Sequence, residues 1–535
     1  MEQMKLFNDN IPEKKQKRKL HNKVTFKEYQ QDQMMLPMNL SDIIPKNHVV
    51  RVVNNAIERM DMTPLLSKYE GGGTSSFNPM MMLKVLVYAY IEKIFSSRKI
   101  AKALCENIYF MWLSGGNKPD FRTINRFRST ILKDVIDEVF ASVLELLIDE
   151  GYIKFENYFL DGTKIEANAN KYTFVWGKSV AKNREKLKEK VKKLLSEIDE
   201  LNAAEDKAYG DDALDGLGKE PISSEKLEEM VKQLDERLSS TPDDRKLKKT
   251  VKILKEDCLP RCKKYEEHEE NLGDRNNYCK TDVDATFMRM KEDHMKNGQL
   301  KPGYNVQIGT EGQFVLGYSI HQAATDTECM KEHLEHVKEV SGRLPENVIA
   351  DAGYGSEENY EYLEEKKLGN YVKYNMFHPE QKRSFKKKKF RYENFQYDNL
   401  KDEFICPENK RLLFSHTYEE KSKRGYKSTI RVYECKECSS CPFHDECTKS
   451  KGNRKIRYNL RLDELKTKAR ENLTSEKGFK LRSMRGTEVE SVFGRIKNNW
   501  GFRRFLLRGL EKVKTEWGLL CIAHNMAKMA TILQG

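Results

Sequence analysis

The segment Gly486–Phe505 constrains the fold most, because its apolar and charged positions fall on different faces of one predicted helix. Four apolar residues recur at helical spacing and should pack inward: Val489, Val492, Phe493 and Ile496. Glu490 and Lys497 are seven residues apart, about two turns, so they project from one face but are too distant for a standard helix-surface ion pair. Arg503 and Arg504 add positive charge nearby. The Glu490 carboxylate on this cationic surface indicates a metal ligand beside a phosphate backbone. The alternative interpretation is that the segment is only a solvated amphipathic helix.

Two short apolar segments each carry an aspartate. Tyr158–Asn170 is predicted to contain a strand with Asp161 near its middle or end, and Asn347–Gly355 a strand that ends at Asp351 before a glycine-bracketed turn. A strand-terminal aspartate often only caps the next helix. Brought together with Glu490, the two aspartates would suit two divalent cations about 3.5–4 Å apart, because carboxylate oxygens are ligands that Mg²⁺ and Mn²⁺ prefer.

Several motifs of the chain resemble those of DDE transposases of bacterial insertion sequences. The matching segments are Asp161–Trp176, Asp282–Lys291, Pro302–Gln307, Asp351–Gly355, Val489–Lys497 and Gly501–Phe505. The resemblance runs from about residue 45 to the C-terminus. It implies an α/β fold in which a helical N-terminal transposase domain precedes a ribonuclease-H-like, mixed-sheet catalytic core.

The resemblance also implies the chemistry. Asp161, Asp351 and Glu490 would hold Mg²⁺ or Mn²⁺, and Lys497 would bind the adjacent phosphate. The reaction would be cleavage at the element ends and transfer of a DNA 3′-hydroxyl to target DNA. The partners would be double-stranded DNA, as terminal inverted repeats and target, and a second copy of the chain in a homodimer on DNA.

One departure from the family pattern lies just before Glu490. Related families place a tyrosine and an arginine at fixed distances before the glutamate, and those slots hold Ser483 and Gly486 here. Arg485 is one residue too far away. Glu490 is therefore favoured over Glu488 mainly through the position of Lys497.

Two other classes of function stay open at this point. One is a non-catalytic DNA-binding regulator derived from a transposase, which the presence of all three carboxylates disfavours. The other is a metal-dependent DNA nuclease without strand transfer.

Composition agrees with a large, basic protein. The 535 residues carry a net charge of +13, which suits a polyanionic partner. The stretch 1–23 has no apolar core of a secretory signal, and the apolar run Met80–Ile91 is interrupted by Lys84 and is too short to span a bilayer. We therefore expect a cytoplasmic protein without membrane contact, whose 11 cysteines are thiols or metal ligands rather than disulfides.

Changes in composition divide the chain into segments. We predict a basic flexible arm (1–43), a helical DNA-binding domain (44–150), the first part of the catalytic core (151–177), a helical coiled-coil-like insertion (178–280), the continued core (281–376), a basic and Cys-rich insertion (377–480) and a C-terminal catalytic helix region (481–535).

Basic residues in two of these segments are candidate DNA contacts. Asp120 should cap a helix that carries Arg122, Arg126 and Arg128 on its outer side, as in a helix-turn-helix reader or in any small helical bundle. Lys387 lies in the basic, aromatic-interleaved run 382–391, which suits phosphate neutralisation or is a solvated charge cluster.

The two insertions differ in character. Heptad-spaced apolar residues from Leu187, Leu227 and Leu247 onwards predict a coiled-coil-like bundle with a structural or dimerising role. The second insertion contains Cys406 and a run with Cys435, Cys438, Cys441 and Cys447, spaced as in tetrahedral zinc sites. We prefer Cys406, Cys438, Cys441 and Cys447 as ligands of Zn²⁺; unligated thiols and an iron–sulfur cluster are the alternatives.

Some residues are rival candidates. Asp282 and Asp284 are further carboxylates, but they precede a predicted strand rather than end one. Phe174 and Trp176 follow the first catalytic strand and either stack on an unpaired base or belong to the core.

Overall fold

The computed structural model describes residues 26–27, 39–69, 75–205, 223–240, 244–290, 298–422, 424–438 and 440–534. Most of the predicted N-terminal arm lies outside these residues. The first described domain is helical, and its helices are α1 (Leu40–Ile43), α2 (Val49–Arg59), α3 (Thr63–Leu66), α4 (Pro79–Ile91), α5 (Ser97–Glu106), α6 (Ile108–Ser114), α7 (Phe121–Arg126) and α8 (Ile136–Asp149).

Helix α4 is the apolar run that the sequence analysis excluded as a membrane span. Asn78 caps it by accepting hydrogen bonds from the Met80 and Met81 backbone N–H groups, and Pro79 occupies the first turn. Nearly every side chain from Pro79 to Tyr90 is buried, because α4 packs between α2, α6 and the last helix of the chain. None of the helices that the structure describes is long and apolar enough to cross a membrane.

The expected outward position of Arg128 is wrong. Asp120 does cap α7, by accepting from Thr123 N at 2.7 Å, but a π-helical turn, Phe127–Ile131, follows α7 and changes the direction of the side chains. Arg128 is only 3 % exposed, and its guanidinium donates to Tyr90 Oη and to the Phe95 carbonyl. The nearby buried Glu516 adds an electrostatic attraction, so Arg128 is part of the core and cannot read DNA from this position.

The central α/β layer contains most of the remaining strands. The strands are β1 (Asn157–Glu166), β2 (Phe174–Trp176), β3 (Asn277–Cys279), β4 (Thr286–Arg289), β5 (Leu300–Glu311), β6 (Phe314–His321), β7 (Asn347–Ala350) and β8 (Gly369–Val372). Strands β2 and β3 form a separate pair. In the main sheet, β1 pairs antiparallel with β5 and parallel with β7, and β7 pairs parallel with β8. The other edge of β5 pairs with β4 and β6. The mixed α/β architecture predicted from the sequence is confirmed.

A helical bundle separates β2 from β3. Its helices are α9 (Gly177–Glu205), α10 (Ser224–Ser240), α11 (Arg245–Ile253) and α12 (Leu259–Leu272). The heptad residues Leu187, Leu227 and Leu254 belong to one buried cluster with Cys258 and Cys262. The insertion therefore has a hydrophobic core of its own. Two further heptad positions of α9, Ile198 and Leu201, lie outside the residues whose side chains are described.

A second, smaller sheet follows the core. Its strands pair in the order β13, β12, β11, β10, β9: β9 (Gln396–Asp398), β10 (Glu403–Ile405), β11 (Arg411–Lys421), β12 (Lys427–Cys435) and β13 (Lys455–Tyr458). The remaining helices are α13 (Met330–Ser341), α14 (Glu357–Glu365), α15 (Phe377–Glu380), α16 (Arg383–Lys386), α17 (His444–Cys447), α18 (Leu460–Thr474), α19 (Glu476–Arg485), α20 (Ser491–Gly494) and α21 (Leu510–Gln534).

Helix α21 joins the N-terminal domain to the sheet. It is apolar around most of its circumference and packs against α2, α4, α8 and β6. One hydrophobic cluster consequently runs from Ile44 through the sheet to Ala530. A helix with this pattern is stable only when it is surrounded by other elements, which is its position here.

Candidate catalytic site

The pairing of β1 with β7 places two of the predicted carboxylates side by side. Leu160 of β1 lies opposite Ala350 of β7 in the parallel register, so the residues that follow them, Asp161 and Asp351, are neighbours. Asp351 is the last residue before a short 3₁₀ turn, Ala352–Tyr354, and accepts a hydrogen bond from Ala352 N at 2.8 Å. Asp161 thus lies in the middle of β1, and Asp351 directly follows the end of β7.

The third carboxylate reaches the same place from a helix. Arg485 lies among all three acids: its Nη2 is 2.9 Å from Asp161 Oδ2, and its Nη1 is 3.7 Å from Asp351 Oδ2 and 3.4 Å from Glu490 Oε1. Only 11 % of the Arg485 side chain is exposed, whereas 59 % of Glu490 is. The structure thus brings the three predicted carboxylates around one guanidinium.

The helical run that carries Glu490 contains two π-helical turns. Helix α19 ends at Arg485, a π turn spans Gly486–Glu490, α20 follows, and a second π turn spans Arg495–Asn499. A π turn pairs residues five apart instead of four. It therefore brings Arg485 next to Glu490 although the two are five residues apart in the sequence. The family pattern places the arginine at the slot of Gly486, four residues before Glu490. Because the π turn accommodates one extra residue, Arg485 reaches the glutamate from five residues away.

The neighbouring residues also fit a site at Glu490. The apolar residues of this helical run are buried as predicted: Val489, Val492, Phe493 and Ile496. The rival Glu488 is buried and accepts a hydrogen bond from Gln313 N at 2.7 Å, away from the aspartates. Asp282 and Asp284 accept from the backbone N–H groups of Gly509 and Leu510, at the start of α21. These three acids have structural partners of their own.

Two lysines border the carboxylates. Lys497 is only 6 % exposed, and its Nζ donates to Thr163 Oγ1 at 2.9 Å. Thr163 is two residues beyond Asp161, so both side chains point to the same face of the sheet. Lys373 was not predicted; it follows β8, whose Val372 pairs with Ala350, and so lies beside Asp351. Burial lowers the pKa of Lys373, and the charge of Asp351 opposes that shift.

The site contains residues that the sequence analysis missed. Arg485 was noted but placed out of reach, because helical spacing was counted as α-helical throughout. Lys373 follows a strand and gives no motif of its own. Asp326 lies in a polar loop that gives no motif of its own, and its partners Asn305 and Gln307 are two polar residues within the run Tyr304–Ile308.

The chemistry of the donors fits a hard divalent cation. Three anionic side chains already direct oxygens at one positive group, and carboxylates are the ligands that Mg²⁺ and Mn²⁺ take. As the side chains stand around Arg485, no three acidic, His or Cys residues of the described chain are spaced to hold a metal ion.

The cysteines predicted to bind zinc lie around one cavity. It is lined by Cys406, Cys438, Cys441 and Cys447, and also by Cys435 and His444. Cys406 follows β10 and Cys435 ends β12, which are both partners of β11. Among the described residues, no three His, Cys or acidic side chains of this region are spaced to hold a metal ion, so zinc binding stays a prediction.

The predicted DNA-contacting residues fall into two groups. Arg122, Arg126 and Lys387 are exposed. Arg503 and Arg504 are exposed as well, but their guanidinium groups contact the protein: Arg503 donates to Asn498 Oδ1 at 2.8 Å, and Arg504 donates to the carbonyls of Ala167 and Ala169. The aromatic Phe174 is partly exposed and packs edge-on against Trp176 and Phe287.

We expect Arg485→Ala to bind Mn²⁺ more tightly than the wild type in the absence of DNA. The gain should be about tenfold, because unit charges about 4 Å apart interact by ~1–4 kcal/mol between bulk water and an effective dielectric constant of about 20. Titration followed by electron paramagnetic resonance of free Mn²⁺ measures it. Lys480→Ala is the control, because Lys480 is an exposed cation on the same helix that pairs only with Glu476 among the described residues. Equal or weaker binding by Arg485→Ala would show that the guanidinium does not compete with the metal.

Comparison with known protein families gives two matches on separate parts of the chain. A family described as "Transposase domain (DUF772)" matches residues 38–130, and one described as "Transposase DDE domain" matches residues 405–530. The first covers most of the N-terminal helical domain, and the second contains Glu490, Lys497 and strands β11 to β13 of the smaller sheet. No curated protein and no solved structure gives a significant match. These two matches support a DDE transposase of insertion-sequence type.

Proposed function

We propose that the protein cleaves DNA at the ends of its element and transfers the resulting 3′-hydroxyl to target DNA. The observation that carries this proposal is the convergence of Asp161, Asp351 and Glu490 on Arg485, from two strands and one helix that are far apart in the sequence.

The topology supports a ribonuclease-H-like catalytic core. Three antiparallel strands, β6, β5 and β1, continue into the parallel strands β7 and β8, and a helix follows β6 and β7 in turn. Asp161 lies on the third strand of this order, β1, and Asp351 directly follows the fourth, β7. In α/β sheets, sites form where strands end side by side, which is the position of these two residues.

Asp161, Asp351 and Glu490 would hold two divalent cations. Such a pair activates a water or a 3′-hydroxyl and stabilises the leaving 3′-oxygen. Lys497, held by Thr163 on the same face as Asp161, would bind the phosphate next to the one that reacts. Arg485 would leave the carboxylates and contact the DNA backbone instead. Because water or DNA itself attacks the phosphate, the protein needs no nucleophilic side chain of its own.

The α5–α7 surface is proposed as the DNA-reading surface. It displays exposed cations on three neighbouring elements: Arg98, Lys99, Lys102, Lys118, Arg122 and Arg126. Arg98 and Arg122 both stack on Phe121, at 4.9 and 5.8 Å from the ring centre, which holds their guanidinium groups at the surface. Lys387 of the Cys-rich segment would add a phosphate contact without base recognition.

Experiments can separate the proposed function from two alternative functions and can test for a homodimer on DNA. A nuclease without strand transfer would use the same three carboxylates and differ only in its products. A non-catalytic regulator would bind DNA through the α5–α7 surface and leave the carboxylates without a function. A homodimer on DNA stays a prediction.

Asp161→Asn, Asp351→Asn and Glu490→Gln should each abolish DNA cleavage, because each removes one metal-coordinating charge and no basic contact. The assay is Mg²⁺-dependent cleavage of DNA fragments that flank the gene, with DNA binding measured in parallel. Glu488→Gln is the matched control: it lies on the same helical run, and glutamine preserves the acceptor for Gln313 N. Substantial cleavage by one of the three variants would remove that residue from the site, and strand joining by the wild type separates a transposase from a nuclease.

Arg122→Ala and Arg126→Ala should weaken DNA binding, and at least one should reduce the preference for element-end DNA over random DNA. Loss of a base contact costs about 1–3 kcal/mol of discrimination, whereas loss of a phosphate contact lowers the slope of log affinity against log salt by about 0.9. Binding to both DNAs is measured across a salt series. Lys387→Ala, as the comparison, should weaken both equally. Full specificity in both arginine variants would move recognition to another surface.

We also propose that the Cys-rich sheet binds one Zn²⁺ through Cys406, Cys438, Cys441 and Cys447, supported by their shared cavity and spacing. The purified protein should contain about one zinc per chain under this tetrahedral arrangement. Cys441→Ser should lower that content, whereas Cys105→Ser, an exposed thiol on α5, should not. Metal analysis without zinc in wild-type protein prepared without chelators would exclude the site.

A further inference from the structure

A polar cluster lies under the first catalytic strand, on the face opposite Asp161. Asn305 and Gln307 of β5 are both fully buried, and their side-chain amides donate to Asp326 Oδ1 at 2.9 and 3.2 Å. Tyr354 Oη donates to Gln307 Oε1. Buried amides in a sheet interior are costly unless they are hydrogen-bonded, so the carboxylate of Asp326 is the acceptor that makes this cluster stable.

The register of β1 and β5 shows which side of the sheet this cluster occupies. Gly162 lies opposite Gln307, whereas Asp161 lies opposite Ile308. Side chains of paired residues point to the same face, and successive residues alternate. Asp326 and its amide donors therefore pack behind the strand, and Asp161 projects from the front with Lys497.

Gly162 is the residue that lets this cluster approach the strand. A Cβ atom at position 162 would lie 2.8 Å from Asp326 Oδ1 and would clash with Gln307 Nε2. The backbone immediately after Asp161 thus rests directly on Asp326 and Gln307. Any movement of this pair would move the Asp161 backbone with it.

The loop that contains Asp326 also contacts the turn after Asp351. A Cβ atom at Gly353 would lie 3.7 Å from Asp326 Oδ2, and Thr327 Oγ1 donates to the Gly353 carbonyl at 2.6 Å. Asn359 Nδ2 donates to the carbonyls of both Thr327 and Tyr354. The segment 326–327 is therefore in contact with the backbone beside each catalytic aspartate.

We propose that Asp326 is a positioning residue that sets the separation of Asp161 and Asp351 from behind the sheet. This inference rests on the proposed catalytic function of those two aspartates. Asp326 acts as a hydrogen-bond acceptor and a spacer between Gly162 and Gly353, and its charge is not required. Asparagine retains the Oδ1 acceptor and the shape of the side chain, whereas alanine removes both.

The test compares Asp326→Asn with Asp326→Ala in single-turnover cleavage at saturating Mn²⁺ and DNA, and in Mn²⁺ binding without DNA. Displacement of reacting groups by about 1 Å costs roughly 100-fold in rate. We expect Asp326→Ala to lose about that much and to bind Mn²⁺ about tenfold more weakly, with DNA affinity unchanged. Asp326→Asn should stay within about threefold of the wild type in both measurements. Glu328→Ala is the control, because Glu328 belongs to the same turn but faces Arg424.

Thr327→Val is a second, isosteric variant in case Asp326→Ala does not fold. It removes only the hydroxyl that holds Gly353, and it should slow cleavage about tenfold with an unchanged thermal midpoint.

The positioning role would be overturned if Asp326→Asn were as inactive as Asp326→Ala, because the charge of Asp326 would then be required. Wild-type behaviour of both Asp326→Ala and Thr327→Val would exclude any role. Wild-type protein that binds Mn²⁺ but cleaves no DNA would count against the proposed function, while the Mn²⁺ measurements would still test Asp326.

Discussion

The contact of Arg485 with three carboxylates is the interaction on which the arrangement of the site depends. Asp161, Asp351 and Glu490 come from parts of the chain more than a hundred residues apart, and without a cation between them they would repel one another. The guanidinium is mostly shielded from solvent, so its attraction is less screened than that of a surface pair. The parallel register of β1 and β7 and the π turn before Glu490 both serve to bring the acids within its reach.

Much of this arrangement was predictable from local sequence patterns. Short runs of aromatic and apolar residues predicted the strands of Asp161 and Asp351, and the heptad spacing of the insertion predicted a helical bundle, because buried elements need apolar residues at the period of the element. The faces of the final helical run were also right for Val489 and Ile496. These features depend on residues close together in sequence, which is the range that such patterns describe.

The errors came from places where tertiary contacts override the local period. Arg128 was assigned to the outside because an ideal α-helix would place it there, but a π turn and the acceptors around Tyr90 draw it into the core. The same assumption separated Arg485 from Glu490. Lys373 and Asp326 owe their positions to strand pairing and to a glycine on another strand, which no spacing rule along the chain can reveal.

The shared core around α21 has a geometric consequence for DNA recognition. Because one hydrophobic cluster joins the α5–α7 surface to the sheet, and Phe95 packs 5.1 Å from Phe502, the reading surface cannot swing freely relative to the carboxylates. Under the proposed function, the base pairs that the α5–α7 surface recognises would therefore lie a fixed number of steps from the phosphate that is cut. Each added base pair moves the phosphate by about 3.4 Å along the helix axis and turns it by roughly a tenth of a turn. DNA ends in which this spacing is changed would still bind to the α5–α7 surface. The phosphate to be cut would then lie out of reach of the three carboxylates.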